Sequence, residues 1–206
     1  MRGENEYSHL ISIAVLLLAL ITQYSLPGGS VAHTDQGKMQ RRKVAVPLGD
    51  FSLTDQGSRA FRFKDLTGKV VVVAFAYTTC PDVCPLITAA MRRVQGELSP
   101  AESQSVQLLT VTTDPEVDSP AVLAAYAKRY NADLSNWAFL TGDERLLARV
   151  WKNFGVGVKR KSRGLVDHTP LTAIVDQKGV IRFAYYGSAP DPQVIVEDLR
   201  SLLNRR

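Results

Sequence analysis

The hydrophobic pattern of the chain changes several times between runs typical of strands and spacings typical of helices. Residues 70–77 (VVVVAFAY) form an unbroken apolar, largely β-branched run, which predicts a strand buried on both faces. Further apolar runs predict strands at residues 106–112, 137–140 and 171–175. In residues 181–186 the pattern alternates instead, which predicts a strand with Ile181, Phe183 and Tyr185 on one face.

Helical spacing follows most of these runs. Apolar residues recur three or four positions apart at Ile87, Met91, Val94 and Leu98. Cap and stop residues mark where the helices begin and end: Pro85 opens the first, Asp118-Ser119-Pro120 caps the second, Asp143 begins a third that Gly155 stops, and Asp191-Pro192 caps the last. The chain therefore predicts four helices after the run at residues 70–77.

The order of these elements predicts an α/β fold. Residues 51–53 and 61–63 flank Asp55-Gln56-Gly57 and predict an N-terminal β-hairpin. A β-α-β-α-β-α-β-β-α order follows, which indicates a mixed, mainly parallel central sheet with helices on both faces and a closing antiparallel hairpin. Functional sites in such sheets lie beyond the carboxyl ends of the strands.

The N-terminal segment is typical of export. Residues 10–21 are apolar apart from Ser12, a length that suits a signal peptide, with Ala32 as the cleavage point; a retained membrane anchor is the alternative. We therefore expect a signal peptide or membrane anchor at residues 1–32, a tether at 33–44 and the folded domain at 45–206. Its location would be periplasmic or otherwise extracytoplasmic, with the membrane reached through this segment if it is not cleaved.

Composition narrows the functional class. The chain has 206 residues, 45% of them hydrophobic, and a net charge of +5. The basic residues fall mainly in two short runs, at 41–43 and at 159–161 with Arg163. No aromatic-interleaved patch or nucleic-acid motif accompanies them, so we interpret both runs as solvated surface and expect no nucleic-acid partner.

The cysteines give the first candidate chemistry. Cys80 and Cys84 are the only two in the chain, and they directly follow the strand predicted at residues 70–77. Two fully helical residues at this spacing would place their Cβ atoms ~5–6 Å apart, wider than the ~3.5–4.5 Å of a disulfide. A shared metal tolerates the wider gap, and a pair in a turn and at a helix start can do both. A helix N-terminus also favours the thiolate that either role needs.

A third candidate ligand is His168. Of the three histidines, His9 and His33 lie in or beside the export segment, which leaves one for the folded domain. His168 precedes the strand at 171–175, which should neighbour the cysteine-bearing strand. Two sulfurs and one imidazole suit copper, as Cu(I) or Cu(II), whereas structural zinc prefers a fourth protein ligand.

Three aspartates near these residues receive lesser roles. We interpret Asp82, between the cysteines, as a surface residue or a neighbour of the ligands, with helix capping as its ordinary role. Asp114 precedes a proline and is assigned to turn chemistry. Asp167 is a candidate for orienting the ring of His168.

Three motifs together resemble the Sco/SenC proteins. They are residues 77–85 (YTTCPDVCP), residues 112–120 (TTDPEVDSP) and residues 167–169 (DHT), and the similarity extends over about residues 45–205. The resemblance implies a thioredoxin-like fold outside the cytoplasm, and copper binding by Cys80, Cys84 and His168. It also implies a part in assembling the binuclear copper-A centre of cytochrome c oxidase, as copper donor or as thiol reductant.

Two functions follow as hypotheses. The first is a copper-binding assembly protein that carries one copper per chain and is not an enzyme. Its partners would be the cytochrome c oxidase subunit with the copper-A site and other periplasmic copper carriers. The alternative is an enzyme, a thiol–disulfide oxidoreductase acting through Cys80 and Cys84 with His168 as a neighbour that tunes the thiolate.

Overall fold

The computed structural model describes residues 39–161, 164–188 and 190–204. The predicted signal peptide or membrane anchor at residues 1–32, the first part of the tether and the basic residue Arg163 lie outside these ranges. None of the helices within them is both long and apolar enough to span a lipid bilayer.

The described residues form strands and helices in nearly the predicted order. The strands are β1 (Gln40–Pro47), β2 (Ser52–Asp55), β3 (Ala60–Arg62), β4 (Val70–Ala76), β5 (Val106–Thr112), β6 (Trp137–Thr141), β7 (Val158–Arg160), β8 (Val166–His168), β9 (Leu171–Val175) and β10 (Val180–Tyr186). The helices are α1 (Val83–Glu97), α2 (Pro100–Ser105), α3 (Pro120–Arg129), α4 (Glu144–Phe154) and α5 (Pro192–Leu203), with a 3₁₀ turn at Phe63–Leu66. Of these, β1, α2, β7 and β8 were not predicted.

Eight strands form one mixed sheet in the order β1-β10-β9-β4-β5-β6-β2-β3. Strands β4, β5 and β6 are parallel, and the remaining pairings are antiparallel. The predicted hairpins are β2–β3 and β9–β10. Strand β9, which follows His168, pairs with β4, which precedes the cysteines. The prediction of a mixed central sheet flanked by helices is confirmed.

Strand β4 is buried on both faces, as its unbroken apolar sequence predicts. Alternate side chains enter two different cores, with Val70, Val72 and Ala74 on one face and Val71, Val73 and Phe75 on the other. The first core contains residues of α1, α3 and α5, and the second contains residues of α4. A strand held this way is a rigid base for the loop that follows it.

Strand β1 corrects two expectations. Residues 40–43, assigned to a tether, pair with β10 at one edge of the sheet. Arg41, expected in solvent, donates to the buried carboxylate of Asp198 and lies 4.9 Å from the ring centre of Phe183. The aliphatic stems of long basic side chains can cover apolar surface in place of apolar residues. An edge strand built from such residues therefore has no apolar run by which the sequence would predict it.

Strand β10 corrects a third expectation. A register shift lies between Ile181 and Phe183, so the simple alternation fails there. Phe183 and Tyr185 enter the core that contains α1, whereas Ile181 enters the core that contains α4. The three residues are buried, but they do not share one face.

Candidate metal centre

The two cysteines lie at the junction of β4 and α1. The helix begins at Val83, two residues before the predicted start at Pro85. Proline fits this first turn because the N–H groups there have no partner within the helix. Cys84 is therefore buried in the first helical turn, while Cys80 is partly exposed in the loop before it, and both are free thiols. Asp82 precedes the helix, is exposed and makes no capping hydrogen bond through its side chain.

The buried carboxylate of Asp118 accepts hydrogen bonds from the segment that leads into the cysteine loop. Asp118 accepts hydrogen bonds from the backbone N–H of Thr78 at 3.2 Å and from the hydroxyls of Thr78 and Thr112, both at 2.5 Å. Burial raises the pKa of Asp118, against the lowering effect of these hydrogen bonds. The expectation that Asp118 belongs to the cap of the next helix is wrong, because Ser119 accepts the bond from the backbone of Val122 and leaves Asp118 to face the loop.

The two thiols have opposite tendencies to ionise. Burial raises the pKa of Cys84, and its contact with Cys80 raises it further. Burial also opposes ionisation of Cys80, but hydrogen bonds from the Cys84 thiol and from the backbone N–H groups of Asp82 and Cys84 outweigh it, so the pKa of Cys80 lies below the ordinary thiol value. The backbone nitrogen of Cys84 lies 3.5 Å from the Cys80 sulfur, the geometry of a helix N-terminus stabilising a thiolate.

His168 reaches this junction from a separate hairpin. It ends β8, which pairs with β7 in a two-stranded sheet. Its Nε2 lies 3.6 Å from the sulfur of Cys84, although 84 residues separate the two along the chain. The expectation that the loop before β9 approaches the cysteines therefore agrees with the geometry.

The environment of His168 fixes which ring nitrogen carries the proton. Nδ1 lies 3.1 Å from the carbonyl oxygen of Thr169, which can only accept, so Nδ1 is the donor. Nε2 is then left with its lone pair toward Cys84. Burial lowers the pKa of His168, which favours the neutral ring that binds metals.

Of the other two aspartates near the site, Asp167 does not have its expected role, and Asp114 has an ion pair in addition to its expected turn. Asp167 is exposed and pairs with Lys161 at 2.8 Å, and the backbone of Thr169, not Asp167, holds the histidine ring. The backbone carbonyl of Asp114 does take part in a turn, since it accepts from Val117 and Asp118. Its carboxylate is fully buried and forms an ion pair with Arg160 that the sequence analysis missed.

Two of the three candidate donor atoms lie at a distance suited to sharing one metal ion. With bonds of ~2.3 Å to sulfur and ~2.0 Å to nitrogen, as in zinc sites, and an angle of ~110°, two ligands lie ~3.6 Å apart. The Cys84–His168 separation of 3.6 Å matches that spacing, with the Cys80 sulfur beside the backbone of Cys84. Within the described ranges, no three His, Cys, Asp or Glu side chains are already gathered as a metal-binding group.

A loop with two thiols follows a buried strand, and a histidine faces this loop at the carboxyl edge of the mixed sheet. This arrangement defines a thioredoxin-like protein with a site that combines thiols and an imidazole. The chain belongs to the SCO1/SenC family, whose model matches residues 39–204. The predictions of a thioredoxin-like α/β fold and of membership in this family are confirmed.

Three solved structures of related proteins show how similar the chain is to other Sco proteins. A SCO1/SenC family lipoprotein from Bacillus anthracis is 32% identical, with a TM-score of 0.72 over 79% of this chain and 98% of that one. Bradyrhizobium japonicum ScoI with copper bound is 30% identical, with a TM-score of 0.62 over 76% and 99%. BsSco, described as a Sco family cytochrome c oxidase assembly protein with a disulfide switch, is 27% identical, with a TM-score of 0.69 over 80% and 98%.

Proposed function

We propose that the protein binds one copper ion through Cys80, Cys84 and His168. As an assembly factor it delivers copper to the copper-A site of cytochrome c oxidase or keeps the thiols of that site reduced. Its direct partner is the oxidase subunit that carries copper-A, and other extracytoplasmic copper carriers are its further partners.

The observation that carries this proposal is the approach of His168 to Cys84. A neutral imidazole whose free lone pair points to a thiol 3.6 Å away is an arrangement suited to sharing one ion. Thiolates select Cu(I), and an imidazole also supports Cu(II), so this donor set suits a protein that handles copper in either state.

The comparisons support the same function. The relative from Bradyrhizobium japonicum is described with copper bound, and BsSco is described as a member of a family of cytochrome c oxidase assembly proteins. Copper is the cargo in this proposal, so the site has to release it as well as bind it. Cys80 is suited to begin an exchange because it is partly exposed in an open groove that also contains Leu165 and His168.

We further propose that the folded domain works outside the cytoplasm. The relative from Bacillus anthracis is described as a lipoprotein, which supports attachment of such a domain to a membrane surface. In this chain the apolar segment at residues 10–21 is the candidate for export or attachment.

Copper uptake by matched histidine variants tests the metal function. The full chain, reduced and purified, should bind one copper, and His168→Ala should weaken binding at least about ten-fold, since it removes one of three ligands. His33→Ala is the control, because it removes a histidine that the proposal does not assign to the site. Equal copper affinities in the two variants would contradict the proposal.

A second candidate is thiol–disulfide exchange. The supporting observation is the asymmetry of the pair, in which Cys80 is partly exposed with a lowered pKa and Cys84 is buried with a raised pKa. The Cys80 thiolate would attack a partner disulfide and form a mixed disulfide. Cys84 would then lose its proton and displace the partner, leaving a Cys80–Cys84 disulfide and two reduced thiols on the partner.

The rate at which the protein reduces a model disulfide distinguishes the copper carrier from the thiol–disulfide oxidoreductase. A carrier should bind copper tightly and reduce a model disulfide slowly, whereas an oxidoreductase should turn over rapidly in the absence of copper. Rapid turnover that His168→Ala leaves unchanged, together with negligible copper affinity, would favour the enzyme.

A further inference from the structure

The hairpin that carries His168 is held to the domain by side chains. Within the part of the chain that the structure describes, strands β7 and β8 share no ladder with the eight-stranded sheet. Where a main sheet strand is fixed by many backbone hydrogen bonds, this hairpin is fixed by the burial of Val166 against Ala76, Tyr77 and Cys84 and by polar contacts. Polar contacts from both of its strands join the hairpin to the rest of the domain.

One of these contacts joins the hairpin to the interior of the domain. Arg160, the last residue of β7, forms an ion pair with the carboxylate of Asp114, just beyond the end of β5. Asp114 is 0% exposed and the Arg160 side chain is 36% exposed, so the guanidinium enters from the surface. Arg160 also lies 3.1 Å from the exposed carboxylate of Glu116.

A second contact lies directly across the hairpin from the first. Arg160 is opposite Val166 in the ladder, and the backbone N–H of Val166 donates to the hydroxyl of Tyr77 at 3.3 Å. His168 is two residues further along β8, opposite Val158. Both contacts therefore fix the hairpin two rungs from the histidine pair, one from each strand.

A buried ion pair of this kind orients the two segments that it joins more than it stabilises the fold. Burying two charges costs free energy that their attraction only partly returns, so a buried ion pair adds little net stability compared with apolar residues. Arginine nevertheless offers a planar, fixed set of donors, which makes its ion pairs directional. An Arg160–Asp114 pair thus sets where β7 lies relative to β5.

We propose that Arg160 is a positioning residue of the site, which through Asp114 keeps the hairpin docked and His168 beside Cys84. This proposal rests on the copper function proposed above. Apparent affinity falls in proportion to the fraction of molecules that are competent to bind. A hairpin docked only about a tenth of the time would weaken copper binding about ten-fold.

The test compares neighbouring basic residues in the full chain. Arg160→Met removes the contact to the interior, whereas Lys161→Met removes the same charge from an exposed pair with Asp167 inside the hairpin. Arg160→Met should weaken copper binding about ten-fold and remove most of the hydrogen-exchange protection of the Val166 amide. Lys161→Met should change neither quantity.

A double variant separates positioning from stability. Arg160→Met leaves a buried carboxylate without its cation, and adding Asp114→Asn removes that charge. We expect the double variant to recover stability in urea unfolding while its copper affinity stays low. Recovery of affinity along with stability would overturn the positioning role, as would equal effects of Arg160→Met and Lys161→Met.

Hydrogen exchange keeps this test independent of the copper function. If the unaltered protein fails to bind copper, the proposed function is wrong, and the exchange of the Val166 amide still decides the role of Arg160. Unchanged exchange in Arg160→Met would overturn the positioning role whether or not copper binds.

Discussion

The two halves of the site are built differently. The cysteine half continues from β4, a strand buried on both faces and paired on both sides, and Asp118 accepts three hydrogen bonds beneath it. The histidine half is a two-stranded hairpin outside the main sheet, with Arg160–Asp114 and Tyr77–Val166 among its contacts.

This difference assigns separate tasks to the two halves. The dithiol is fixed by backbone ladders and a helix start, so its geometry should persist whether or not copper is present. The imidazole depends on side-chain contacts, so changes in the hairpin should alter copper binding while leaving the dithiol intact. The following predictions test that division, from the largest expected effect to the smallest.

The largest effect should come from the support of the cysteine half. Asp118→Ala leaves the donors of half-buried Thr78 and buried Thr112 without their acceptor, and the loss for a buried donor costs about 1–3 kcal/mol. We expect the free energy of unfolding in urea to fall by about 3 kcal/mol. Asp82→Ala, at an exposed position near the same loop, is the control. A loss no greater than that of the control would show that Asp118 does not support the loop.

The second effect concerns the two thiols. The lowered pKa of Cys80 means that its thiolate is half-populated at a pH below the ordinary thiol value, and alkylation should slow as the pH falls through that point. The raised pKa of Cys84 and its burial should keep it a thiol. In the reduced, metal-free protein, mass spectrometry near pH 8 should find Cys80 alkylated at least about ten-fold faster than Cys84. Equal rates would contradict this asymmetry.

A smaller effect should appear in the histidine half. Tyr77→Phe removes the hydroxyl that accepts from Val166, a contact with a net value of about 1 kcal/mol. The Val166 amide should then exchange about five-fold faster, while the amides of β4, which are fixed by backbone ladders on both sides, should keep their protection. Equal losses of protection at Val166 and in β4 would show that the two halves are not independent.

The smallest effect should come from the exposed pair on the hairpin. Lys161 lowers the pKa of Asp167, so the pair is fully charged throughout pH 5–8, above the usual carboxyl range. Both side chains are exposed, and pairs of this kind contribute little. Asp167→Asn should leave copper affinity unchanged at every pH in that range. A loss comparable to that of His168→Ala would restore Asp167 as the residue that orients the ring.

The cysteine half was largely predictable because its information is local. A buried strand, a turn and a helix start follow one another within residues 70–97, and apolar spacing identifies each of them. The start of α2 was also readable, since Ser99, Pro100 and Glu102 form a capping box with proline at its first position. Its shortness, six residues with none buried, explains why apolar spacing gave no signal.

The histidine half was only partly predictable because its contacts join distant residues. His168 could be chosen by elimination, but nothing in the pattern pairs Arg160 with Asp114, 46 residues away. A basic run is typical of solvated surface, and an aspartate before proline is typical of a turn, so both expectations followed the ordinary rule. Asp118 was misassigned for a related reason, since an adjacent serine can cap the same helix.

The most direct test of the account is X-ray absorption at the copper edge of the full chain loaded with one Cu(I). Two sulfur ligands and one imidazole nitrogen should surround the ion, and the nitrogen contribution should vanish in His168→Ala but persist in His33→Ala. A spectrum that His168→Ala leaves unchanged would contradict the claim that one ion is shared by Cys80, Cys84 and His168.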